Sequence, residues 1–164
     1  TLMFRSPTCT PDDERAARKL AELAGVDLEE YADAMFAHGG DVTGKTAAEV
    51  FNGVYKIFTS GDVRFGVGQG SYMTEKNRKA AQALVGPYLP QALEKQGLDY
   101  IFYMFTDVRN SGTELLMAGP GAEELVAKTF HTAIENGVAS LPGVVSRKKQ
   151  MIPLLINALK QEQE

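Results

Sequence analysis

The 164-residue sequence has no tryptophan, one cysteine and two histidines, and each scarcity removes a class of chemistry. A single thiol excludes an internal disulfide and fits a reducing, cytoplasmic setting. His38, His131 and Cys9 lie far apart and lack any metal-ligand spacing. His131 falls at a helix end, where an imidazole suits the C-terminal dipole without further role. Cys9, in the turn-like SPTCT stretch, has no neighbouring histidine to activate it. Apolar runs are short: none approaches the roughly 18 residues of a membrane-spanning helix. No leader-like segment is visible at the start. Basic charge is not in excess either, since the formal net charge is -4. An extended basic face for nonspecific nucleic-acid binding is therefore not expected. What remains, 44% hydrophobic and 23% charged, is enough to build a buried core in one domain, or in one domain plus an appendage.

Helix starts are written clearly. Thr10-Pro11-Asp12-Asp13 is an N-cap, a first-position proline and first-turn acids, and the helix stops at Gly25. Asp27 caps a second helix that ends near Gly39. GGDVTGK (39–45) is glycine-rich without apolar period and reads as a linker. Thr46 with Glu49 forms the next capping box. Strand-like runs follow at 55–59 and 63–67 around a Ser60-Gly61-Asp62 turn, a hairpin signal. A helix from Thr74 is interrupted by Gly86-Pro87 and Pro90 before it ends at Gly97. Leu98 to Thr106 is almost wholly apolar and aromatic, as expected of a central strand covered on both faces. Strands at 113–118 and 138–140 flank another helix, and a last helix ends the chain. The expected class is α/β: a mixed sheet of about five strands flanked by helices, preceded by an N-terminal helical segment.

Ser146-Arg147-Lys148-Lys149-Gln150 stands out. Three cations lead into the last helix, where the macrodipole favours acids. A solvated basic turn is one explanation. The other is a bound anion such as phosphate, met by the cations and by free N–H groups at the helix start. Pro153 allows two arrangements: a helix from Ser146 with the proline inside, or a loop over 146–150 with the proline in first position. Both put Arg147 and Lys148 near exposed N–H groups. Lys56, between a helix and an apolar strand, can lie over the surface or point into a cleft. Gly66-Val67-Gly68-Gln69-Gly70 resembles part of a phosphate loop, but it lacks the full motif and its lysine, so packing glycines are expected.

The run LPGVVSRKKQMIPLL (141–155) resembles the C-terminal signature of the family II, manganese-dependent inorganic pyrophosphatases of the DHH phosphoesterase superfamily. TLMFRSPTCTPDD, TAAEVFNGVYKIF and TDVRNSGTELLMAG are similar to that family as well, so the likeness covers essentially the whole chain. The resemblance implies two lobes around a cleft. One lobe binds paired Mn²⁺ (or Co²⁺ or Mg²⁺) ions through an Asp-His-His motif, and a C-terminal lobe closes over pyrophosphate. Carried onto this sequence, the substrate-binding positions are Lys56, Arg147 and Lys148. The Asp-His-His motif is missing here. The implied arrangement is then residues 1–38 as the tail of the metal lobe, 39–45 as hinge and 46–164 as the substrate lobe, inactive by itself. Implied partners are pyrophosphate or phosphate and the N-terminal lobe, with a homodimer of the parent allowed. The matching lobe of an exopolyphosphatase and a stand-alone phosphoanion-binding or regulatory domain are the alternatives.

Overall fold

The computed structural model describes residues 2–161. Thr1 and residues 162–164, at the outer ends of the two expected segments, lie outside them. Side-chain caps set where the first helices begin. Thr10 and Asp13 close a reciprocal capping box at α1 (Pro11–Ala24), and Gly25 ends it in the left-handed conformation. Asp27 accepts from the Glu29 and Glu30 amides to open α2 (Leu28–Gly39). Thr46 and Glu49 repeat the box at α3 (Ala47–Asn52).

The sheet follows. β1 (Tyr55–Ser60) and β2 (Val63–Tyr72) form the expected hairpin. α4 (Glu75–Val85), a single 3-10 turn at Gly86–Tyr88 and α5 (Leu89–Gln96) carry the chain to β3 (Tyr100–Asp107), parallel to β2. β4 (Gly112–Ala118) returns antiparallel. After α6 (Ala122–Phe130), β5 (Ile134–Glu135) and β6 (Val138–Pro142) complete six strands in the order β1-β2-β3-β4-β6-β5. A wide turn at Arg147–Met151 then leads into α7 (Ile152–Gln161). The sixth strand, β5, is two residues long. It is joined to β6 by Asn136-Gly137, both at positive φ, the tight turn that an Asn-Gly pair favours.

Alternation in β3 divides the core in two. Phe102 and Met104 face α6 and α7, with Val67, Leu115, Leu125 and Leu155. Ile101, Tyr103 and Phe105 face α3, α4 and α5, with Phe51, Val85 and Leu89. β2 runs five residues beyond the expected Val67 because its glycines are packing positions. A Cβ at Gly66, Gly68 or Gly70 would stand 2.3, 2.5 or 2.3 Å from the nearest atom of Tyr55, Tyr103 or Tyr72. Large rings on one face thus require bare backbone opposite them. Burial pushes the Tyr72 hydroxyl up to about 12 and raises that of Tyr103, so both rings stay neutral.

Candidate functional site

Strand parity places the first cation. Lys56 pairs with Val67, and directly opposed residues on paired strands share a face. Val67 belongs to the core beneath α6 and α7, so Lys56 leaves the sheet on that same side. Gln69, two residues along β2, does too.

The 146–150 segment crosses over this face as the first turn of the last helix. Ser146 is its N-cap, accepting from the Lys149 amide at 3.2 Å. The Gln150 and Met151 amides both donate to the Ser146 carbonyl, at 3.0 and 3.1 Å, which widens the turn by one residue. Pro153 lies inside α7 just after this widening. Of the two arrangements open in the sequence, the helix from Ser146 is the one adopted.

Lys56, Arg147 and Lys148 line a single cleft of about 560 Å³ together with Gln69, Ser71, Ser6 and Thr8. No carboxylate lines it among the described residues, and none of the three cations is in an ion pair there. Arg147 reaches inward: its Nη1 donates to the Val54 carbonyl at 2.5 Å and the Val67 carbonyl at 3.1 Å. Burial lowers its pKa from the ordinary guanidinium value, and it remains cationic at any working pH. Lys149 leaves the cleft, and its Nζ donates to the Pro7 carbonyl at 3.2 Å.

One expectation needs correction. The N–H groups at this helix start are mostly engaged by side chains. Gln150 Oε1 accepts from the Val145 and Ser146 amides, both at 2.9 Å, and Gln69 Oε1 accepts from the Arg147 amide at 3.3 Å. The Lys148 amide is the one in the run 145–149 with no partner among the described residues. Positive potential here comes mainly from side chains. With Ser6, Thr8 and Ser71, Gln69 is a site-lining residue that the sequence did not reveal. Its only signal was its place in GVGQG, where the glycines proved to be packing positions.

The match to the DHHA2 domain covers residues 33–158. The chain belongs to the DHHA2 domain family. Among curated relatives, this DHHA2 chain is 40% identical over 94% of its length to a cobalt-dependent inorganic pyrophosphatase of Clostridium perfringens, of which it spans 28%. It is 37% identical over 96% of its length to an Exiguobacterium protein assigned as a manganese-dependent inorganic pyrophosphatase, of which it spans 51%. A Methanococcus jannaschii crystal structure assigned to the family II inorganic pyrophosphatases superposes with a TM-score of 0.82 and 31% identity, over 98% of this chain and 52% of that one. The chain therefore spans about half or less of these relatives. Among the described residues no group of three or more His, Cys, Asp or Glu is placed to hold a metal ion, so they do not fit the metals that the relatives' names carry.

Proposed function

We propose that this DHHA2 domain is the substrate-binding lobe of an inorganic pyrophosphatase, and that Lys56, Arg147 and Lys148 grip the phosphates of pyrophosphate. The observation that carries this is three cations from two distant segments in one cleft without a carboxylate among the lining residues. Such a site carries uncompensated positive charge facing solvent, which a multiply charged phosphoanion neutralises. Lys offers a compact charge, and Arg offers a flat fork matched to phosphate oxygens. Cations also stabilise the charge that accumulates on the leaving phosphate as an anhydride bond breaks.

Under this proposal the metal dependence in the relatives' names belongs to the portion of those proteins that this chain does not span. Residues 1–38 are the tail of that metal lobe, and the glycine-rich 39–45 segment is the hinge to the substrate lobe, 46–164. The setting is cytoplasmic. Among the described residues no helix is long and apolar enough to cross a membrane. Incubated with pyrophosphate and Mn²⁺ or Co²⁺, the pure chain is expected to bind pyrophosphate and release no phosphate. Sustained turnover would refute the division of labour. Affinity that climbs steadily from pyrophosphate to longer polyphosphates would favour the exopolyphosphatase reading.

A further inference from the structure

The cationic turn is held by two carboxamides. Gln69, on β2, uses both ends of its side chain. Nε2 donates to Thr106 Oγ1 at 3.0 Å and to the Val145 carbonyl at 2.9 Å, while Oε1 accepts from the Arg147 amide. Below it, the buried hydroxyls of Thr106 and Thr113 lie 3.0 Å apart, and Thr113 donates to the Val144 carbonyl at 2.6 Å. From the other side, Gln150 accepts from the Val145 and Ser146 amides and donates to the Gly143 carbonyl at 2.9 Å. Backbone groups from 143 to 147 are thus fixed by side chains from β2, β4 and the turn itself.

This arrangement has a consequence for what the turn presents. A free helix start offers a fan of N–H donors. Here the amides of residues 145, 146 and 147 are occupied, and the carbonyls of 143, 144 and 145 are held as well. The Arg147 main chain is anchored to β2 through Gln69, and its guanidinium is anchored to β2 through the Val67 carbonyl. Both anchors set the distance between the turn and the strand that faces Lys56. A shift of about 1 Å in that distance is enough to weaken recognition strongly.

We propose that Gln69 is a positioning residue for the anion cleft, acting through Arg147 with Gln150 as its counterpart across the turn. The proposal rests on the phosphate-binding reading of the same cleft. Gln69 carries no charge, so its contribution is geometric. Removing it loosens the turn without removing a cation. Gln69→Met is the suitable change, because the side chain keeps its length and loses both ends of the clamp.

The test titrates pyrophosphate into the full chain by calorimetry at two salt concentrations, for wild type, Gln69→Met, Arg147→Ala and the double variant. Amide hydrogen exchange at residues 145–147 is followed by NMR on the same samples. Gln69→Met is expected to weaken binding roughly three- to ten-fold, the scale of one lost hydrogen bond. Its salt dependence should match wild type, since no charge is lost. The double variant should be little weaker than Arg147→Ala alone, the signature of one residue acting through another. Exchange at the Arg147 amide should accelerate in Gln69→Met. Unchanged affinity, full additivity with Arg147→Ala, or a flatter salt dependence would overturn the positioning role. Absence of pyrophosphate binding to wild type would refute the functional reading and this role with it. Faster exchange in that case would leave Gln69 as a structural clamp only.

Discussion

Replacing Arg147 with methionine removes a guanidinium that joins two strands' worth of backbone. Its Nη1 donates to the Val54 carbonyl, just before β1, and to the Val67 carbonyl in the middle of β2. Each is a charge-assisted bond, nominally ~1.5–3 kcal/mol. The Val54 contact is exposed, so water replaces it at small cost, whereas the Val67 contact is partly buried and its carbonyl loses a good donor. Methionine retains much of the stem packing. The net loss is then about 1.5–3 kcal/mol, which for a chain of this size lowers Tm by roughly 3–12 °C. Thermal unfolding followed by circular dichroism at neutral pH measures it. A second readout comes from mass action: saturating pyrophosphate should raise Tm of the wild type and raise that of Arg147→Met much less. A Tm within about 1 °C of wild type without ligand would show that the carbonyl contacts hold nothing together.

Gly68→Ala places a Cβ 2.5 Å from the buried Tyr103 ring and should destabilise by about 1–3 kcal/mol in denaturant titration; a change under about 0.5 kcal/mol would refute the packing explanation of the β2 glycines. Asp107 is partly buried, which raises its pKa, but bonds donated by the Asn110 amide and Nδ2 outweigh this and hold it below the usual carboxylate value. A depressed folded-state pKa contributes stability above the unfolded pKa and loses it as pH falls through the folded one. Asp107→Asn should therefore weaken the protein at neutral pH and flatten its acid-side decline below about pH 4, measured by urea unfolding across pH. An acid limb identical to wild type would contradict this. Pyrophosphate mimics in which a methylene group replaces the bridging anhydride oxygen, such as methylenediphosphonate, should still occupy the cleft, since recognition is by charge and not by cleavage; failure to compete with pyrophosphate would argue for a different ligand class.

Local signals carried much of the fold. Thr10, Asp27, Thr46 and Thr74 cap helices where their side chains and first-turn partners say they should. The aromatic run at 100–107 is the central strand because it is covered on both faces. Elements whose reasons are tertiary were hidden. β2 continues through Gly66, Gly68 and Gly70 only because three tyrosine rings take the room that side chains would fill. β5 leaves no pattern in the sequence beyond the Asn136-Gly137 turn, since two residues are too few to show a period. The cations at 56, 147 and 148 were visible as residues, and pairing register brings Lys56 to the face that the turn covers. The glutamine clamp was not visible. Gln69 meets Val145 and Arg147 across more than seventy residues of chain, a contact with no local pattern.

The most direct measurement is calorimetric titration of pyrophosphate into the wild-type chain and into Lys56→Met/Lys148→Met, at low and physiological salt. Both lysines line the cleft, and neither donates a hydrogen bond to the protein through its side chain among the described residues, so the variant should stay folded. Wild type should bind, more weakly as salt rises, and the variant should lose at least about ten-fold in affinity per cation with a flatter salt dependence. Equal affinity in the two proteins, or wild-type binding that ignores salt, would contradict the assignment of this cleft as the phosphate grip.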